Sequence, residues 1–191
     1  FHMTDDSGLF KSTPGPGRVP LWEGKQFHQF DPDFSDPQYW LDEKDARQTL
    51  LRPRLKVIRK ELEVRGVTAA EDPAKVRLDC DSYRVAFRDV ARNTDERTVI
   101  ACVLPPRRFC PHTVSMEQVF FDRVDEVGHE SVARLNNAQR LYLASVLNSF
   151  VFDWIIRKSI TAHVSFFFVY NTPVPRLAED DPQMALIVQR A

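Results

Sequence analysis

The apolar run from Leu141 to Ile156 is what most limits how this chain can fold. A membrane span needs about 20 apolar residues, and this shorter run is interrupted by Asn148, Ser149 and Asp153. A helix that is apolar almost all round belongs inside a protein core. Asn136 and Gln139 stand at capping-box spacing just before it. The sequence therefore predicts one long buried helix from Asn136 to about Lys158. Phe150, Phe152, Trp154, Phe166, Phe167 and Phe168 lie in continuous apolar runs and are assigned to the core around it.

Strands are expected to pack on that helix. Tyr83, Val85 and Phe87 alternate with Arg84, Ala86 and Arg88, the pattern of a half-buried strand. Asn93-Thr94-Asp95-Glu96 supplies turn chemistry, and the β-branched run Thr98 to Leu104 ends at Pro105-Pro106, so the two runs form a hairpin. A helix would also align Arg84, Arg88 and Arg92, but aromatic and β-branched content favours strand. Ala162 to Val169 reads as a further strand, and Val19 to Trp22 and Lys25 to Phe30 as short ones around Glu23-Gly24, with Phe27 and Phe30 in the core. Asp42 to Gly66 reads as helix in two pieces: Asp42 caps the first, Pro53 suits the first turn of the second, and Gly66 is the stop. Asp181-Pro182 opens a last helix. The expected fold is α+β, a mixed β-sheet packed against a long buried helix, with a smaller helical segment near residues 42–66. A single domain over residues 1–191 is expected.

Charge and cysteine content narrow the function. With 26 basic against 27 acidic side chains, the formal charge of −1 excludes a protein that coats polyanions by bulk attraction, though not one that gathers its cations on one face. Cys80, Cys102 and Cys110 are odd in number and lack C-x-x-C spacing, which suits a reducing cytoplasm better than a disulfide framework. No secretory signal pattern opens the chain, so a cytoplasmic location is expected.

Most catalytic signatures are missing. There is no G-x-G-x-x-G, no Walker-type phosphate loop and no G-x-S-x-G elbow. Cys110-Pro111-His112 gives two metal ligands without a second pair, so no zinc site is expected. Asn171-Thr172-Pro173-Val174-Pro175 lacks the adjacent prolines and the aromatic residue of the methyltransferase Asn-Pro-Pro-aromatic motif. Glu23-Gly24-Lys25, with Asp5 and Asp6 upstream, has the form of the E-x-K triplet of Mg²⁺-dependent nucleases. A turn glycine between solvated charges has the same form, and it is the commoner case.

Several blocks of sequence change the reading. Thr4-Asp5-Asp6-Ser7-Gly8-Leu9-Phe10 with Pro20-Leu21-Trp22-Glu23-Gly24-Lys25-Gln26-Phe27-His28-Gln29-Phe30-Asp31 is the first. Tyr83 to Thr98 is the next, then Leu141-Tyr142-Leu143 through Leu147-Asn148-Ser149-Phe150-Val151-Phe152-Asp153-Trp154, and last Ile160 to Phe168 leading into Pro173-Val174-Pro175. In residues and in order, they resemble the C-terminal target recognition (specificity) region of type IIG-like adenine-specific DNA methyltransferases from restriction-modification and related phage-defence systems. The resemblance implies a non-catalytic domain that selects a double-stranded DNA sequence for an adenine-N6 methyltransferase. It further implies that the S-adenosylmethionine site lies in a catalytic domain of the same parent chain, upstream of Phe1, and that no cofactor, metal or membrane is bound by this fragment. Residues 42–75 have no counterpart in the family and are expected to be a variable helical insertion.

DNA readout needs cations for phosphates and forked donors for base edges. Arg84, Arg88 and Arg92 share a face of the expected strand, with neighbours about 13 Å apart, close to two phosphate steps. The row equally suits a solvated face whose arginines pair with Asp89, Asp95 or Glu96. Asn93, Thr94 and Arg97 sit in the expected hairpin turn, free to reach a groove. Lys25, His28 and Gln29 form a short polar edge between aromatics, Arg108 is placed to hold a phosphate, and His163 to approach DNA from a loop. Each of these is also an ordinary surface residue, so their assignment as DNA contacts rests on the resemblance. A third class of function, a protein-interaction module of a defence complex, would show itself as an exposed apolar patch in place of a basic one.

Overall fold

A computed structural model describes residues 1–191. β1 (Arg18–Leu21) pairs antiparallel with β2 (Tyr39–Asp42), placing Val19 opposite Leu41. The segment between them is not the expected strand at Lys25 to Phe30. Gly24–Gln26 forms a single 3₁₀ turn, with the Glu23 N–H donating to Gln26 Oε1 at 2.9 Å. His28 and Asp31 then close a tight turn in which Phe30 takes φ 61° and stays 46% exposed, so only Phe27 joins the core.

Asp42 caps α1 (Glu43–Arg65) by accepting from Lys44 N and Asp45 N, and Gly66 ends it in the left-handed region at φ 68°. α1 is one continuous helix, not two pieces, and Pro53 lies inside it. The proline removes the bond to the Thr49 carbonyl, a loss the helix absorbs because Ala46, Ile58 and Leu62 are buried along its inner face. Ala46 packs with Val19, Leu21, Leu41 and Phe109, while Ile58 and Leu62 pack with Val76 and Val124.

β3 (Arg84–Arg88) is the central strand of a sheet whose flanks are β4 (Ala101–Leu104) and β5 (Val114–Met116). Phe87 lies opposite Ala101 on one side and Ser115 on the other. β6 (Phe120–Val124) and β7 (His129–Ala133) make a separate hairpin. The class is α+β as expected, but the strands pair antiparallel in small sheets and do not form one mixed sheet. The hairpin of β3 and β4 with its turn at residues 92–95 is as expected.

α2 (Asn137–Leu147) starts at the anticipated capping box, where Asn136 Oδ1 accepts from Gln139 N and Gln139 Oε1 from Asn136 N. It does not run to Lys158. Asn148 turns its amide onto the backbone of Ala101, and Ser149 caps a second helix, α3 (Phe150–Arg157), by accepting from Phe152 N. The break re-aims the apolar residues. Phe152 and Ile156 join Val85, Phe87 and Leu147 in the core, whereas Phe150 and Trp154 are 81% and 60% exposed. The expected strand at Ala162 to Val169 is also replaced. After a single bridge between Val90 and His163, the chain turns into α4 (Phe166–Tyr170), which leaves Phe166 at the surface and Phe167 68% exposed. α5 (Pro182–Arg190) is capped by Asp181 and rests on α2. No helix is long and apolar enough to cross a membrane.

β3 is covered on both faces. Val85 and Phe87 face α2 and α3, and Ala86 faces Trp22, Phe27, Cys102 and Cys110. The alternation in the sequence therefore marks two buried environments, one of them roofed by the N-terminal segment.

Candidate nucleic-acid interface

What covers this face of β3 decides the fate of the arginine row. Arg84 is 2% exposed, and its guanidinium donates to the carbonyls of Asp79 and Arg108, so it is a structural residue and no DNA contact. Its remaining contacts are the sulfur atoms of Met116, 3.4 Å from Nε, and Cys110, 3.8 Å from Nη2. Arg92 is exposed in the turn beyond β3, in a different setting from the strand pair. The expected row along a phosphate backbone does not form.

Arg88 emerges where the roof ends. Gly24 makes room for it: a Cβ at that position would lie 3.2 Å from Arg88 Cγ. Its guanidinium donates to the Phe27 carbonyl and lies 5.8 Å from the centre of the Phe27 ring. Arg88 forms no ion pair, and its Nε has no hydrogen-bond partner in the protein. Desolvation by burial lowers its affinity for the proton from that of a free arginine, although the group stays charged.

On one side Arg88 lines a cleft of about 430 Å³ with His28, Gln29 and Arg97. On the other it lines a shallower one of about 290 Å³ with Gly24, Lys25 and Thr113. Lys25, His28, Gln29, Arg88 and Arg97 are thus brought to one surface from the first turn, from β3 and from the β3–β4 loop. Gln29 makes one side-chain bond, Nε2 to Val99 O at 3.2 Å. His28 packs on Phe34 at 5.0 Å between ring centres. Arg97 donates to the Asn148 carbonyl, lies 3.8 Å from Asp153 and covers the Phe150 ring at 4.4 Å. Asp95 and Glu96 line the same cleft, so its potential is not uniformly positive.

The other candidates lie apart or are engaged. Arg108 Nη2 pairs with Asp33 at 2.6 Å, its guanidinium stacks on Trp22, and its Nε is buried without a partner, so it is held as a bracket for the 31–33 turn. His163 Nδ1 meets Asp89 Oδ2 at 3.1 Å beside the Val90 bridge. Asn93 and Thr94 are exposed in the turn, and the Asn93 carbonyl accepts from Arg157. Lys25 Nζ bonds Gln38 at 2.5 Å and lies 3.4 Å from Glu23 Oε2, which makes the E-x-K triplet a local salt link over a turn. No group of three or more His, Cys, Asp or Glu side chains is placed to hold a metal ion.

Phe150, which joins the cleft wall, was not anticipated in the sequence. Asn148-Ser149 was the available signal, because a serine before an apolar run is a helix N-cap and a restarted helix presents a different face. No protein-family model matches the chain, and no curated protein matches it.

Proposed function

We propose that this chain is a recognition domain for double-stranded DNA, serving an adenine-N6 methyltransferase whose S-adenosylmethionine site lies in a separate domain of the parent chain. The resemblance of its sequence blocks supplies the class. The observation that carries the reading is Arg88, a forked donor without a carboxylate partner, at the junction of two clefts that also hold Lys25, His28, Gln29 and Arg97. Arg matches the guanine edge, and Gln the adenine edge. With a net charge of −1 and two acids in the cleft, contacts are local and affinity in isolation is weak.

Fluorescence anisotropy with mixed-sequence duplexes at about 25 mM salt tests this. Arg88→Ala is expected to weaken binding about tenfold or more, and Arg88→Lys, which keeps the charge but loses the fork, to recover only part. Arg97→Ala is expected to weaken it as well. Wild-type binding by both alanine variants removes the cleft from the interface.

A second reading has its own observation. Phe167 and Tyr170 on α4 are 68% and 80% exposed, and Leu186 on α5 is 49% exposed, a pattern suited to docking another domain. A protein-interaction module would retain its partner when Arg88 is replaced, and would bind no duplex.

A further inference from the structure

We infer that the outward edge of α3, formed by Phe150, Val151 and Trp154, packs against DNA as an aromatic wedge beside the cleft. The inference rests on the DNA-recognition reading and extends its surface. These side chains are 81%, 69% and 60% exposed, in a helix whose other face is fully used in the core. Phe150 and Arg97 belong both to the cleft that holds Arg88 and to the apolar hollow formed with Val151 and Trp154, so the two surfaces are continuous.

Charge indicates the occupant. The Arg97 guanidinium lies 4.4 Å from the centre of the Phe150 ring, and Lys158 Nζ lies 3.1 Å from that of Trp154. Cation–π contact holds each cation at the edge of an otherwise bare apolar surface. Asp153 is 6% exposed at its side chain; its oxygens accept from Thr98 N, Val99 N and Arg157, and it lies 3.8 Å from Arg97 Nε, so of the two cations Lys158 is the one without an ion pair. Glu96 is the one carboxylate that faces the hollow without an ion pair. Apolar rings bordered by Lys and Arg match the minor groove of a duplex, where an apolar wedge packs on the sugars and enters a partly unstacked base step while phosphates line the rim. The core of a protein–protein interface is depleted of lysine but enriched in Arg and aromatic residues, so it is Lys158, and not Arg97, that favours DNA over a protein partner.

The test uses the intact chain and a mixed-sequence duplex at about 25 mM salt. Trp22 is 3% exposed and Trp40 partly buried, so a change in indole emission on titration reports chiefly Trp154. The expected results are quenching in the wild type, at least about fivefold weaker binding by Phe150→Ser and Trp154→Ser, and recovery in Trp154→Phe. The dependence on salt should be unchanged in the serine variants, because no phosphate contact is removed. Unchanged affinity in both serine variants, with the wild type still binding, overturns the wedge and leaves the cleft reading standing. Serine variants that bind DNA normally but abolish a concentration-dependent self-association assign the edge to a protein contact, and also overturn it. A wild-type chain that binds no duplex at all overturns the wedge and the recognition function together.

Discussion

Asn148 and Ala101 exchange two hydrogen bonds, Ala101 N–H to the Asn148 Oδ1 and Asn148 Nδ2 to the Ala101 carbonyl, each 2.9 Å long. A side-chain amide has the donor and acceptor of a peptide group, so Asn148 occupies the place of a further strand on the outer edge of β4. It fixes the break between α2 and α3 against the sheet, and with it the direction in which Phe150 and Asp153 leave the joint. Because Asn148 is 7% exposed and Ala101 fully buried, water cannot replace either bond.

Asn148→Ala is therefore expected to cost about 1–3 kcal/mol, since it strands the buried Ala101 N–H, while the Ala101 carbonyl still accepts from Phe30 N at 3.4 Å. Asn148→Asp keeps the acceptor but loses the donor and buries a charge, and should destabilise at least as much. Urea denaturation of the variants measures both. A loss below about 0.5 kcal/mol for Asn148→Ala would show that the edge of β4 is satisfied by other means.

Gly24 tests whether Arg88 depends on its position as well as its charge. A methyl group at residue 24 would press on Arg88 Cγ from 3.2 Å. Gly24→Ala changes no charge and lies at ordinary backbone angles, so its effect on stability should stay within about 1 kcal/mol. Duplex affinity is expected to fall severalfold because the guanidinium is displaced. An anisotropy titration matching the wild type would show that Arg88 acts only as a diffuse charge.

Much of the helical frame was legible because it is local. Asp42, Gly66, Asn136 with Gln139, and Asp181 with Pro182 mark real ends, since a cap is a bond between near neighbours. The β3–β4 hairpin was legible for the same reason. What the sequence could not show depends on distant residues. Arg84 alternates with apolar neighbours, yet the Arg108–Cys110 segment and Met116, both more than twenty residues away in the chain, close over it. Phe150 and Trp154 lie in an apolar run, yet the bond from Asn148 to Ala101 ends one helix and turns the next outward. Of the site, Lys25, His28, Gln29, Arg88 and Arg97 line the two clefts that meet at Arg88, but Arg97 is engaged with Asp153 and the Asn148 carbonyl, as Arg108 is with Asp33 and His163 with Asp89.

Asp79 carries a pH signature. Burial raises its pKa above the ordinary value of 3.8, and the bond from Phe120 N and the nearby Arg54 and Arg84 only partly oppose this. A raised folded-state pKa means the folded chain binds the proton more tightly than the unfolded chain. The contribution to stability is then full below pH 3.8 and declines as pH rises through the folded pKa, so the charged group costs stability at neutral pH. Asp79→Asn keeps an acceptor for Phe120 N and removes that cost. It should raise Tm near neutrality by up to about 3 °C, the shift given by about 1 kcal/mol in a domain of this size. The gap should close as both proteins are taken towards about pH 3, where wild-type Asp79 is protonated as well. A gap that widens on acidification would mean that the nearby Arg54 and Arg84 charges, and not burial, govern this group.

The buried thiols report on the same roof that shapes the cleft. Desolvation pushes Cys80 up to about 11 and Cys102 up to about 12, and it raises Cys110, which also meets Arg84 Nη2 at 3.8 Å. At about pH 8 a thiol of pKa about 11 is ionised in roughly one molecule in a thousand, so even an accessible one would react slowly. All three are buried, and labelling requires the structure to open. A thiol reagent should leave the native chain unmodified over minutes and modify all three cysteines in denaturant. Cys102 and Cys110 share a cluster with Trp22 and Phe27, whereas Cys80 packs with Leu21 and Phe109. Rapid native labelling of Cys102 and Cys110 with Cys80 protected would mean that the N-terminal segment lifts readily from β3. Arg88 would then be solvated on the same timescale, and its guanidinium, released from the Phe27 carbonyl, would lose its fixed direction.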